Sequence, residues 1–124
     1  MPDLEEIASV AIDCGLQIHK ALGPGLLETV YEAVLASTLL EKGLSVERQR
    51  PVPIVYRGVA MAEAFRADLV VDGRLVIEIK SIERTAPVHA KQLLTYLRLL
   101  MNFGCATFRE GLKRVVNGYD PLAS

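Results

Sequence analysis

The sequence predicts an α/β fold in which α-helices flank a mixed β-sheet. Three patterns support this prediction. Apolar side chains recur at helical spacing in residues 3–42, alternating and β-branched runs occupy residues 44–82, and a further helical pattern opens at Thr85. Two helices, three or four strands, a third helix and closing strands follow one another in that order. This order implies a sheet with helices packed on it.

The first two elements are predicted to form a helical hairpin. Residues 3–22 read as one helix, and Gly23-Pro24-Gly25 stops it. The residues on its apolar stripe are Ile7, Ala11, Cys14, Ile18 and Leu22. A second helix starts just after this break and runs to about Lys42, with Gly43 as its C-terminal cap. Its predicted apolar side consists of Leu27, Val30, Val34 and Leu35.

Strands are predicted next, in segments 44–56, 63–71 and 74–82. Gly58 and Asp72-Gly73 supply the turns between them. A third helix then opens at Thr85, with Pro87 near its first turn, and runs to about Leu100. Residues 101–104 and 113–118 are predicted to be closing strands.

The chain of 124 residues is expected to form a single domain, 1–124. No apolar run approaches the ~18 residues of a membrane helix, and the acidic start is unlike a signal peptide, which predicts a cytoplasmic protein. Cys14 and Cys105 are too few for a disulfide framework and are expected to be reduced. With two histidines and two cysteines, a bound metal is expected to be held by carboxylates, which favours Mg²⁺ or Mn²⁺.

The net charge of −1 conceals an asymmetry along the chain. Residues 1–43 contain two Lys or Arg and seven Asp or Glu, whereas residues 44–124 contain twelve and eight. The second segment therefore carries +4, enough for a local patch that faces phosphate if the fold gathers its arginines and lysines. An ordinary solvated surface is the alternative.

The most informative segment is the hairpin of residues 66–80. Alternation places Glu78 and Lys80 on one face of their strand with Val76, while the other face carries Leu75, Ile77 and Ile79. A two-residue turn at Asp72-Gly73 would put Asp68 on the wrong face. A three-residue loop, Val71-Asp72-Gly73, with Gly73 left-handed, or a bulge, pairs Asp68 with Val76 and brings it beside Glu78. We predict the three-residue loop. Asp68 and Glu78 would then chelate a hard cation, or form an ion-pair cluster with Lys80.

Two helical features add candidate residues. His89, Gln92 and Tyr96 form a polar stripe on the third helix, either as the wall of a cleft or as a plain wet surface. Glu28 lies in the first turn of the second helix, where a glutamate also serves as an ordinary capping residue.

These residues carry a resemblance to a known family. Asp68 followed by Glu78-Ile79-Lys80 resembles the D…ExK core of the PD-(D/E)XK nuclease superfamily, although Ala67 stands where its name has proline. Gln92-Leu-Leu-Thr-Tyr96 is similar to the QxxxY motif of the RecB-like branch. Gly25-Leu-Leu-Glu28-Thr-Val-Tyr31 matches the signature of the small bacterial GxxExxY proteins. The residues between Leu99 and Phe103 run from helix into strand without a turn, so either the helix ends early or this stretch is abridged.

The resemblance implies a restriction-endonuclease-like core and a metal-dependent nuclease that acts on DNA or RNA. In that interpretation Asp68, Glu78 and the Ile79 carbonyl hold Mg²⁺ or Mn²⁺, and Glu28 binds it directly or through water. Lys80 orients the attacking water. Gln92 and Tyr96 position Lys80 or a substrate phosphate. The alternative is a binding or assembly module that keeps the nuclease fold without turnover, as a homodimer or with a protein partner.

Overall fold

The computed structural model describes residues 2–83 and 97–116. Two helices, α1 (Leu4–Leu22) and α2 (Glu28–Glu41), precede all of the described strands. The side chain of Asp3 caps α1 by accepting a hydrogen bond from Glu6 N at 2.8 Å. Gly23, with a φ of 69°, ends α1 where the sequence predicts.

The strands form one mixed sheet. They are β1 (Val46–Tyr56), β2 (Val59–Val71), β3 (Leu75–Lys80), β4 (Leu97–Asn102) and β5 (Leu112–Val116), and they lie in that order across the sheet. A short helix, α3 (Phe108–Gly111), precedes β5. All neighbouring strands are antiparallel except β3 and β4, which are parallel. The predicted fold class, a mixed sheet flanked by helices, is confirmed.

Helices α1 and α2 cover one face of this sheet. Leu69 and Ile77 belong to the main hydrophobic core on that face, together with Ile7 of α1 and Tyr31 and Leu35 of α2. The predicted apolar side of α2 is wrong in part. Its fully buried residues are Tyr31, Leu35 and Leu39, whereas Leu27 is 74% exposed and Val30 is 38% exposed. Apolar residues occur on all sides of α2, so its own sequence does not determine which side packs on the sheet. Tertiary contacts determine that side, including a ring stack of Tyr31 on Phe103.

The turn between β2 and β3 has the predicted odd length but different members. Val71 pairs with Leu75, so the loop consists of Asp72, Gly73 and Arg74. Gly73 is left-handed, as predicted, with a φ of 68°. The predicted pairing of Asp68 with Val76 is wrong, because Val70 occupies that position. The observed register differs from the predicted one by two residues, and an even difference leaves each side chain on its predicted face. Asp68 therefore still lies on the side of the sheet that carries Glu78.

The predicted third helix is wrong at its C-terminal end. Residues 97–100 belong to β4, which begins at Leu97. Every residue of β4 is buried, and a strand buried on both faces shows no alternation that would distinguish it from a helix. The early start of β4 also explains how residues 99–103 continue without a turn. The remainder of the predicted helix, with His89, Gln92 and Tyr96, lies outside the described residues.

Candidate functional site

Asp68 fills a gap between two strands. The backbone pairing between β2 and β3 ends at Leu69 and Ile77. The next amide of β3 that faces β2 therefore has no β2 carbonyl as its partner. Asp68 Oδ2 accepts that amide hydrogen, from Ile79 N, at 2.7 Å. A half-buried backbone donor needs such a partner. The contact fixes the carboxylate of Asp68 against the backbone at the end of β3.

The Ile79 carbonyl points toward the same gap. Lys80 O accepts a hydrogen bond from Phe103 N, so the polar groups of Lys80 face the β4 side of β3. Backbone groups of successive residues in a strand point to opposite sides. The carbonyl of Ile79 therefore faces the β2 side, where Asp68 lies.

Gln49 connects Asp68 to a second carboxylate, that of Glu32 in α2. Its Nε2 donates to Asp68 Oδ1 at 3.2 Å and to Glu32 Oε1 at 2.7 Å. Glu32 is only 6% exposed, and Arg48 donates to its other oxygen through Nε and a terminal nitrogen, at 3.1 and 2.9 Å. Gln49 has a φ of 53°, which marks an irregularity in β1 opposite Asp68.

Glu78 has a different partner. Its Oε2 lies 2.5 Å from Nε of Arg98, and the Glu78 side chain is only 15% exposed. Val76 pairs with Arg98 across the parallel strands, so both charged groups project from the face opposite the main core. A buried ion pair of this kind holds the carboxylate in one orientation.

Glu28 lines a pocket beside the end of β3. The pocket has a volume of about 470 Å³ and is lined by residues 25–29 together with Ser81. Ser81 Oγ donates to Leu26 O at 2.6 Å, which ties this loop to the residue after Lys80. Lys80 is exposed and lies between Ile79 and Ser81 in the chain.

Tyr31 holds the loop that carries Glu28. Its ring is fully buried and stacks on Phe103, with centroids 4.4 Å apart. Its hydroxyl donates to Gly23 O at 2.5 Å and accepts from Leu26 N at 3.1 Å. Gly25, between these two contacts, has a φ of 100°, a conformation that favours glycine. The loop before α2 therefore depends on both Gly25 and Tyr31.

The structure thus brings the candidate residues to one end of β3 in two groups. Asp68 contacts Ile79, and Glu28 lines the pocket together with Ser81, the residue that follows Lys80 in the chain. Over residues 2–83 and 97–116, no three Asp, Glu, His or Cys side chains are grouped closely enough to hold a metal ion. The carboxylate of Asp68 accepts a hydrogen bond from the backbone amide of Ile79, whereas the carboxylate of Glu78 pairs with Arg98 on the face of the sheet. Gln92 and Tyr96 lie outside the described residues.

Sequence reasoning missed four residues of this site. Arg48 and Gln49 contact Glu32 across 16 and 17 residues of chain, and no local pattern reveals such contacts. Arg98 does leave a signal, because it is a single charge within an apolar run, and such a charge needs a partner when buried. Glu32 follows Glu28 by one helical turn, which is a second available signal.

The oxygen donors at this end of β3 suit a hard divalent cation. Two carboxylates, of Asp68 and Glu78, and one backbone carbonyl, of Ile79, are the ligand types that Mg²⁺ and Mn²⁺ prefer. Among the described residues, the softer groups lie elsewhere. Cys14 and Cys105 are free and buried, and His19 Nε2 is bonded to Cys105 O at 2.9 Å. The donor chemistry therefore fits a hard divalent cation.

In the described part of the chain, no helix has the length and apolarity to cross a membrane.

Comparison with known proteins identifies the family. No curated protein and no solved structure matches the sequence. A family model of the PD-(D/E)XK nuclease superfamily matches residues 5–115, which include every described strand except the last residue of β5. The chain belongs to the PD-(D/E)XK nuclease superfamily.

Proposed function

We propose that this protein is a Mg²⁺- or Mn²⁺-dependent nuclease that hydrolyses phosphodiester bonds of DNA or RNA in the cytoplasm. The observation that carries the proposal is the contact of Asp68 with Ile79, within the Glu78-Ile79-Lys80 segment of a superfamily member. We also assign it to the GxxExxY proteins of the RecB-like branch. The loop contacts of Gly25 and Tyr31 support this assignment, since they give two of the three signature residues a defined role.

In this proposal, Asp68, Glu78 and the Ile79 carbonyl would hold the cation, with Glu28 binding directly or through water. The cation would supply Lewis-acid stabilisation of charge on the phosphate. Lys80, which is exposed, orients the attacking water and offsets developing negative charge. Gln92 and Tyr96 are assigned the positioning of Lys80 or of a substrate phosphate.

A second candidate function is a nuclease-fold module that binds nucleic acid or a protein partner without turnover. Two observations favour it. Glu78 already has a buried cationic partner in Arg98, and Asp68 already accepts two hydrogen bonds from protein groups. A carboxylate compensated in this way binds a cation more weakly, because the cation must displace or share its partner.

Cleavage assays separate the two functions. Labelled single- and double-stranded DNA and RNA are incubated with the protein over a titration of Mg²⁺ and Mn²⁺. The nuclease cleaves at least one substrate only with the cation, and Asp68→Asn abolishes that cleavage. Asp72→Asn is the matched control, because Asp72 lies in the same hairpin and bonds Ser45 instead. Absence of cleavage by the wild type under all these conditions favours the module.

A further inference from the structure

The hairpin of β1 and β2 extends beyond the rest of the sheet. Only Leu69–Val71 of β2 pair with β3, so within the described residues the remainder of β2 pairs with β1 alone. Residues 50–67 therefore form a two-stranded arm. Its base is anchored, because Val52 and Ala67 belong to a small buried cluster with Val70 and Val76.

The tip of the arm presents an apolar face to solvent. Tyr56 pairs with Val59, and Ile54 pairs with Met61, which places all four side chains on one face. Tyr56, Val59 and Met61 are 60%, 61% and 42% exposed. A two-stranded hairpin with such a face is only marginally stable in water, so the face is expected to have a partner.

The turn at the tip is well defined. Arg57 and Gly58 form a two-residue loop, and their φ angles of 49° and 78° are those of a type I′ turn. The Arg57 guanidinium lies over the ring of Tyr56, 5.3 Å from its centroid. The tip of the arm therefore carries an aromatic ring and a cation in contact with each other.

The charge of the arm favours an anionic partner. It contains Arg50, Arg57 and Arg66 against Glu63 alone, a net charge of +2 in a chain whose total is −1. Arg50 pairs with Glu47 at 2.9 Å, whereas Arg57 and Arg66 take part in no ion pair within the described residues. An aromatic ring next to a cation that forms no ion pair is a combination that binds single-stranded nucleic acid, by base stacking and phosphate contact.

We propose that the tip of the arm binds a single-stranded segment of nucleic acid, with a base stacked on Tyr56 and a phosphate bound by Arg57. That this segment belongs to the substrate rests on the proposed nuclease function. The arm joins the site directly, because β2 continues from Val59 at the tip to Asp68 at its base.

Binding measurements test this inference without cleavage. Fluorescence anisotropy follows a labelled single-stranded DNA oligonucleotide, in EDTA, over a range of salt concentrations. Tyr56→Ala should weaken binding about five- to a hundredfold, while Tyr56→Phe, which keeps the ring, should bind like the wild type. Arg57→Asn should weaken binding and lower the slope of log affinity against log salt by about 0.7. Asparagine suits the left-handed position before Gly58, so the turn should be preserved.

Two control variants match these changes elsewhere on the surface. Leu40→Ala removes another apolar side chain, 56% exposed, from α2, and Lys113→Ala removes an exposed cation from β5. Both should bind the oligonucleotide like the wild type. Equal affinity of Tyr56→Ala and wild type would overturn the inference. A second result would also overturn it: the wild type sediments as a dimer, and Tyr56→Ala dissociates the dimer without changing oligonucleotide affinity. The tip would then be a protein interface.

Asp68→Asn separates this inference from the proposed function. It should abolish cleavage yet bind the oligonucleotide like the wild type, because Asp68 lies at the base of the arm and not at its tip. If the wild type binds through Tyr56 and cleaves nothing, the nuclease proposal fails and the inference stands. If the wild type cleaves and the tip variants bind normally, the inference fails and the nuclease proposal stands.

Discussion

Asp68→Asn without metal tests the hydrogen bonds that position the central carboxylate. Asp68 accepts one hydrogen bond with each oxygen, from Ile79 N at 2.7 Å and from Gln49 Nε2 at 3.2 Å. Asparagine has a single acceptor oxygen. If it accepts from Ile79 N, its amide nitrogen faces the donor group of Gln49. If Gln49 reverses its amide to accommodate this, it loses the 2.7 Å hydrogen bond to Glu32.

Either arrangement removes one hydrogen bond to a carboxylate, which is worth about 1.5–3 kcal/mol when buried. Gln49 is exposed, so water compensates in part, and we expect a net loss of about 1 kcal/mol. Relief of repulsion between carboxylates offsets little, because Glu32 is paired with Arg48 and Glu78 is paired with Arg98.

Urea unfolding of the wild type and Asp68→Asn in EDTA measures this loss. It should also appear as a fall of about 3–6 °C in the midpoint of thermal unfolding. Asp72→Asn is the control, since one oxygen of Asp72 accepts both hydrogen bonds from Ser45 and asparagine can do the same. An Asp68→Asn protein as stable as the wild type, or more stable, would refute the arrangement around Gln49.

Three further predictions concern other parts of the molecule. Lys80→Ala should stop cleavage but keep Mn²⁺ affinity within a few fold, whereas Glu78→Gln should weaken both cleavage and Mn²⁺ affinity, because only Glu78 is a proposed ligand. Calorimetry and cleavage assays on both variants measure this difference. Equal behaviour of the two variants would contradict the prediction. Tyr31→Phe leaves two backbone partners of the hydroxyl unsatisfied and should cost about 1–3 kcal/mol in urea unfolding, and an unchanged stability would contradict the role of Tyr31 in the loop. Burial raises the pKa of the Cys14 thiol above 9.0, so the unfolded chain ionises first and stability should fall as pH rises past 9, by at most about 1.4 kcal/mol per pH unit. Unfolding measurements at pH 8 and pH 10 should show this component in the wild type and not in Cys14→Ala, and identical pH dependence would contradict it.

Local signals predict most of the framework. The terminating Gly23 defines the end of α1, and alternation in β3 separates Ile77 and Ile79 from Glu78. The parity of the turn after β2, together with this alternation, is enough to place Asp68 on the side of the sheet that carries Glu78, but not to fix its position along β3. These features depend on neighbours within a few residues, so the sequence carries them directly.

The rest depends on contacts between distant parts of the chain. The buried side of α2 follows from the stack of Tyr31 on Phe103, 72 residues away, and not from the apolar spacing of Leu27 and Val30. The strand at Leu97 resembles a helix in sequence because both of its faces are buried. Gln49 reaches Glu32 and Asp68 through a left-handed backbone conformation that nothing in its immediate sequence announces.

We propose that Asp68 and its neighbours at the end of β3 form a divalent-cation site. Calorimetric titration of the metal-free protein with Mn²⁺ measures whether this site binds a cation. We predict uptake of Mn²⁺ by the wild type and by Asp72→Asn, and at least about tenfold weaker binding by Asp68→Asn, since loss of a carboxylate ligand should cost no less than loss of an outer-shell partner. No heat of binding in the wild type, or equal Mn²⁺ affinity in Asp68→Asn, would contradict the claim.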